Sequence, residues 1–146
     1  MAGLSEGVYR IVNVGTGRVL ALDSADQVTV VGEPGVEDGW QHWLLSTAPG
    51  FGEEVWYIVS GRTGTRLGLG AGLVSAGVQV ECSGPPMGWR IMTDEADPDR
   101  YRIAVWPPCE LVLDLPGDGG DTGTDRIGLA RYEPSSSSQR WHFQRA

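Results

Sequence analysis

Few side chains in this 146-residue chain can do chemistry, and they are scattered. The two histidines, His42 and His142, each sit inside a tryptophan segment: Trp40-Gln41-His42-Trp43-Leu44 and Ser138-Gln139-Arg140-Trp141-His142-Phe143. A histidine works as a general base or metal ligand only beside a partner group. Each of these is next to a tryptophan, so on a strand it faces away from that ring. They also fall in different repeats, which gives no shared site. Cys82 and Cys109 could act as nucleophiles only with a histidine alongside, and no spacing brings one there. Two cysteines are too few for a disulfide framework, so free thiols in a reducing compartment are expected. Asp118, Asp121 and Asp125 punctuate a Gly-rich stretch, Pro116-Gly117-Asp118-Gly119-Gly120-Asp121-Thr122-Gly123-Thr124-Asp125. Calcium takes oxygen ligands from such loops, but the EF-hand spacing and its closing glutamate are missing. A solvated surface loop is the plainer reading, as it is for the run Ser135-Ser136-Ser137-Ser138. No Gly-rich phosphate loop leads into a helix. No catalytic constellation emerges, and the sequence predicts neither an enzyme nor a cofactor nor a metal.

The elements that must position any site come from a repeat. Met87-Gly88-Trp89-Arg90-Ile91 is the third tryptophan segment, 46 residues after Trp43 and 52 before Trp141. Each unit opens on an aromatic-aliphatic strand: Val8-Tyr9-Arg10-Ile11-Val12, Val55-Trp56-Tyr57-Ile58-Val59 and Arg100-Tyr101-Arg102-Ile103-Ala104. A Leu-x-Leu step follows, at Leu20-Ala21-Leu22, Leu67-Gly68-Leu69 and Leu113-Asp114-Leu115. Thr16-Gly17 and Thr63-Gly64 supply the preceding turn in the first two units. A third strand alternates at Val28-Thr29-Val30, Val78-Gln79-Val80 and Ile127-Gly128-Leu129, and the tryptophan strand closes the unit. That predicts an all-β fold of four short strands per unit, with approximate repeats 7–48, 53–94 and 99–146 in one domain. No stretch holds a helical apolar period for ten residues or more. Units of this length cannot bury a face alone, so the three must share one core around a common axis.

Composition narrows the partners. The net charge is −8, and every one of the 11 basic residues is arginine. An acidic chain is repelled by phosphate backbones and anionic headgroups, which argues against nucleic acid and membrane surfaces. No run approaches the ~18 apolar residues of a membrane span. The polar stretch Met1–Gly7 does not read as a signal peptide, so cytoplasmic residence is expected.

Gln-x-Trp closing a four-strand unit resembles the ricin B-type β-trefoil. The opening Gly7-Val8-Tyr9-Arg10-Ile11-Val12-Asn13-Val14-Gly15-Thr16-Gly17 followed by Leu20-Ala21-Leu22 is similar to the small single-trefoil proteins of mushrooms. The resemblance covers nearly the whole chain. Gln-x-Trp stands in the first and third units, at Gln41 and Gln139, while the second keeps only Trp89. It implies a six-stranded barrel closed by three hairpins, with the tryptophans in its core and each Gln on one face with its Trp. It also implies a sugar site built from a carboxylate at the centre of Leu-x-Leu, an aromatic on the third strand and a polar residue just before Gln-x-Trp. The first two units carry Ala21 and Gly68 at the carboxylate position, so both look inactive by that rule. The third carries Asp114. Its implied carbohydrate-binding set is Asp114, Gly128, Arg131, Tyr132, Ser138 and Gln139. Ala130 departs from the aromatic, and Tyr132 is its substitute on the same face. The bland alternative for Asp114 is a carboxylate bonded to nearby backbone and Gln139. In the first unit Asp23, Glu33, Asp38 and Trp40 could form a non-standard pocket, or Trp40 could simply pack on a loop.

Two functions stay open on this scaffold, because its loops vary freely. One is a non-enzymatic lectin for galactose or N-acetylgalactosamine-type glycans and glycoproteins, in recognition or defence. The other is a protease inhibitor presenting Ser24-Ala25-Asp26-Gln27 or the long loop ending at Arg126. A lectin with one site per chain agglutinates only as a dimer, so a homodimer also stays open.

Overall fold

A computed structural model describes residues 4–35, 39–47, 55–69, 75–83, 87–94, 97–105, 111–115 and 125–146. Among the described residues eleven strands form: β1 Gly7–Asn13, β2 Val19–Leu22, β3 Val30–Glu33, β4 Trp43–Thr47, β5 Val55–Ser60, β6 Trp89–Asp94, β7 Asp97–Val105, β8 Leu111–Asp114, β9 Asp125–Arg126, β10 Gly128–Arg131 and β11 Trp141–Arg145. No α-helix occurs among the described residues. Two single 3-10 turns, Gly39–Gln41 and Ser137–Gln139, stand just before tryptophan strands. Among the described residues, no helix is long and apolar enough to cross a membrane.

Antiparallel pairing runs β1–β4–β5–β6–β7–β11 and back to β1, so six strands close a barrel with no free edge. These are the opening and closing strands of the three units. Alternation puts Ile11, Ile58 and Ile103 inside, each fully buried. Tyr9, Trp56 and Tyr101, at matching positions two residues earlier, are buried too. Phe143 meets Tyr9 and Tyr101 edge-on, at ring distances of 5.9 and 5.3 Å. Trp43, Trp89 and Trp141 are wholly enclosed. Each indole Nε1 donates to the backbone carbonyl of the first leucine in its own unit's Leu-x-Leu: Leu20 at 2.9 Å, Leu67 at 2.9 Å and Leu113 at 3.3 Å. The tryptophan therefore fills volume and also ties the hairpin to the barrel. The expectation that these rings are core holds for all three.

The turns repeat as well. Gly17 and Gly64 both take positive φ, 76° and 78°, where a side chain would be strained. Asn13 and Ser60, the buried last residues of β1 and β5, accept turn N–H groups through their side chains, from Thr16 and from Arg62 and Thr63.

The hairpins cap the barrel, and the third strands of the three units interlock. Thr29 pairs with Glu81, Gln79 with Gly128, and Arg126 with Val31. Val31, Glu81 and Gly128 each face the centre of their own unit's Leu-x-Leu, and each is paired with the residue two before its counterpart in the preceding unit, closing a ring of three. The second unit departs from the expected pattern. Leu67–Leu69 and Val78–Val80 make isolated bridges rather than full strands. Gly68 sits at the centre of the first of these, and glycine leaves no side chain to pack along a strand.

Candidate functional site

Asp114 ends β8 directly opposite Gly128, the first residue of β10. The two therefore share the outer face of their hairpin, while Leu113, Leu115 and Leu129 enter the core. A depression of about 140 Å³ opens there, lined by Gly77, Gln79, Asp114, Arg126, Gly128 and Leu129. This is smaller than the ~300 Å³ at which drug-sized pockets begin, and suits one ring of a larger ligand. Asp114 is half-buried, and its Oδ1 is shut off from solvent with no hydrogen-bond partner among the described residues. Arg126 Nη1 donates to Gln79 Oε1 at 2.6 Å, so one wall joins the second unit to the third.

The pocket assembles only part of the set expected from sequence. Asp114 and Gly128 are together in it. Arg131 faces Leu111 at the other end of the β8–β10 ladder and is exposed. Tyr132 follows it and lies under the Arg102 guanidinium, 4.2 Å from its ring centroid. It therefore does not replace the missing aromatic over Asp114. The Ser138 hydroxyl is shared with Ser136 at 2.7 Å, and its carbonyl accepts from Asn13 Nδ2 and the Leu115 N–H.

Gln139 needs a correction of role and place. It lies on a 3-10 turn ahead of β11, not on the strand face of Trp141. Its buried amide is fully engaged, with Nε2 donating to the Arg131 carbonyl at 2.9 Å and Oε1 accepting the Glu133 N–H at 2.7 Å. Gln41 does the same work in the first unit, donating to the Pro34 carbonyl at 2.8 Å and to Glu33 Oε1 at 3.3 Å. The motif's glutamine thus clamps the loop that enters the tryptophan strand. In the second unit Met87 takes the glutamine's position, and an added Cβ on the intervening Gly88 would come within 2.9 Å of Val55 Cγ1.

Sequence reasoning missed Gly77, Gln79, Arg126 and Leu129 as lining residues. For Gly77 and Gln79 the signal is the offset pairing of the cap, which is set between units and leaves no local periodicity, while Arg126 and Leu129 flank Gly128 in the third unit. The first unit's equivalent position is closed, because Ala21 faces Val31 and both are buried. Trp40 is half-buried against the core with the Arg62 guanidinium 5.0 Å from its ring, so it is not an open platform. Asp23 accepts the Ala25 N–H, and Asp38 lies outside the described residues.

The loop Ser24–Gln27 is braced by Asp26, which accepts from the Val28 and Thr29 N–H groups and from the Thr29 hydroxyl at 2.6 Å. Those bonds, the Thr29 side chain foremost, hold the Asp26 carboxyl below its ordinary range. Cys82 is a buried free thiol, and burial pushes it up to about 12. Cys109, Asp118 and Asp121 fall outside the described residues, and Asp125 begins β9. His42 precedes β4 and His142 lies on β11, with β1 between those two strands.

A closed six-stranded barrel capped by three interlocked hairpins is a β-trefoil. Solved structures of that type resemble the chain from end to end. A ricin B-like lectin of Macrolepiota procera, in complex with lactose, is 29% identical over 99% of this chain and 100% of its own, with a TM-score of 0.87. The Rhizoctonia solani agglutinin is 22% identical, with coverage of 100% and 99% and a TM-score of 0.84. ThreeFoil, a designed threefold-symmetric protein, is 19% identical, with coverage of 96% and 99% and a TM-score of 0.80. No family model and no curated protein matches the chain.

Proposed function

We propose that this protein is a non-enzymatic lectin that binds galactose-type glycans through the third-unit pocket, in a recognition or defence role. The observation that carries the reading is the Asp114 carboxylate set in the wall of a small depression, directly opposite Gly128. A carboxylate offers about four acceptor sites and suits the adjacent hydroxyls of a sugar ring. The Arg126 guanidinium, fixed by Gln79, offers donors from the opposite wall. The similar Macrolepiota procera lectin holds lactose, which makes a β-galactoside the first ligand to try. Ala130 gives no aromatic face for the ring, so polar contacts carry the affinity and a single site binds weakly.

The inhibitor reading is the weaker one. Arg126, its arginine for a trypsin-like pocket, is paired in β9 with Val31 and bonded to Gln79. A glycan array followed by lactose titration tests the proposal. Asp114→Asn, which removes the charge and keeps the shape, should abolish binding at this pocket with the fold intact. Unchanged lactose binding there by the variant would remove the site from consideration.

A further inference from the structure

Three residues from two units form a row across the third-unit depression. Asp114 is directly opposite Gly128 on one side, and Gln79 is bridged to Gly128 on the other. Opposed residues share a face, so a carboxylate and a carboxamide flank a bare glycine. Strands lie ~4.7–4.9 Å apart, which sets the Asp114 and Gln79 backbones about 9–10 Å from each other. Arg126 comes two residues before Gly128, and the buried Ile127 between them turns both outward. Among the described residues that line the depression, Arg126 is the one cation.

The two sides of the row differ in what they offer. A carboxylate accepts hydrogen bonds and does not donate them. On the facing side Gln79 Oε1 is taken by Arg126 Nη1 at 2.6 Å, which leaves the Gln79 Nε2 amide and the rest of the guanidinium, all donors. A sugar hydroxyl satisfies either side. A guanidinium held in place holds an oxyanion more strongly, through paired charge-assisted bonds. Arg126 is exposed and makes no ion pair among the described residues, although the Asp26 carboxyl feels its charge. We propose that Arg126, held by Gln79 of the preceding unit, is a specificity-determining residue that selects glycans whose galactose-type ring carries an oxyanion, as a sulfate ester or a carboxylate. The proposal rests on the lectin reading above and names the ligand class of the same pocket.

Three further features fit. Ala130 supplies no aromatic face, so a charged contact stands in for stacking. At the end of the row away from Arg126, the Gly77 N–H donates to the Leu129 carbonyl, and a Cβ added to Gly77 would meet nothing within 4 Å. The rest of a glycan can leave over that open end while the substituent faces the guanidinium. A chain of net charge −8 repels distant anions, so holding an acidic sugar requires a cation placed at the point of contact.

The test is calorimetric titration of the whole chain with lactose, with lactose sulfated on its galactose, and with sialyllactose. At least one acidic form should bind about tenfold tighter than lactose, the gain expected of charge-assisted bonds. A gain with sulfated lactose alone identifies the sulfate ester, and a gain with sialyllactose alone the carboxylate. Arg126→Gln removes the charge and should bring the acidic ligand level with lactose. Arg126→Lys returns the charge without the planar fork and should restore part of the preference. Acidic forms that bind no tighter than lactose would overturn this proposal and leave the lectin reading standing. A preference that survives Arg126→Gln would do the same. Binding by none of the three would end both. In the unmodified chain, the NMR signals of Arg126 Nε–H and the Gln79 side-chain amide should shift further with the acidic ligand than with lactose. Signals that stay in place under a bound acidic ligand would overturn the proposal even where a variant folds poorly.

Discussion

Trp89 Nε1 donates to the Leu67 carbonyl at 2.9 Å in the one unit that has lost its Gln-x-Trp glutamine. The hairpin tie thus survives without the loop clamp. Removing the indole donor should therefore cost more here than in units with both devices. Trp89→Phe leaves a buried carbonyl unpaired and a gap beside it, which should destabilise by roughly 2–4 kcal/mol. For a chain of this size each kcal/mol lowers Tm by about 2–4 °C. Denaturant melts of Trp89→Phe and Trp43→Phe compare the two units. Equal losses would contradict the argument.

Gln139→Ala should separate clamp from pocket. It orphans the Arg131 carbonyl and the Glu133 N–H, at about 1–3 kcal/mol. Lactose affinity at Asp114 should stay within a few-fold, because the amide does not line the depression. A loss of binding as large as that of Asp114→Asn would return Gln139 to the sugar site.

Gly128→Ala should close the third pocket. The new Cβ would lie 3.1 Å from the Val78 carbonyl oxygen, which must give by a few tenths of an ångström. The expected stability loss is about 1–3 kcal/mol, as for other overpacked sites. Binding at Asp114 should fall at least tenfold, measured by calorimetry. Undiminished affinity would show that the ligand sits elsewhere.

Two titrations follow from the burial and bonding of single groups. Asp26 has a folded pKa below the ordinary carboxylate value of 3.8, so the stability it adds is present above that value. It is lost as pH falls through the folded pKa. The stability gap between the parent and Asp26→Ala should therefore shrink in strong acid, and a gap that is constant with pH would contradict this. Cys82, raised from 9.0 to about 12, acts at the other end. Folding keeps it neutral, so its contribution is complete below pH 9.0 and is lost as pH rises toward the folded value. Thiol reagents at neutral pH should label Cys82 only at the rate of unfolding, which mass spectrometry can follow.

The barrel was legible because its signals are local. Tyr9, Trp56 and Tyr101 recur at one strand position, and the three tryptophans at another, so alternation alone assigns them to the core. The second unit's middle strands were overestimated, since Leu67 and Leu69 read as a strand while Gly68 between them weakens it. Gln41 and Gln139 were placed on the tryptophan strand because spacing two apart suggests one face. The 3-10 turn that precedes each strand turns them toward the loop instead. The site was half legible. Asp114 stood out by comparison with Ala21 and Gly68, but Gln79 joins it only through contacts between units that neighbouring residues do not encode. Arg131 and Tyr132 were close in sequence to Gly128, but the ladder runs away from Asp114 at 3.2–3.4 Å per residue.

The cyclic pairing of Thr29 with Glu81, Gln79 with Gly128 and Arg126 with Val31 has an evolutionary corollary. Triplicated ancestry normally lets each copy drift on its own. Here Gln79 of the second unit lines the third unit's depression and accepts from Arg126, so a change in one copy is felt in the next. A lone copy would also need two sister molecules to complete its roof, which makes self-trimerisation the natural fate of an excised third.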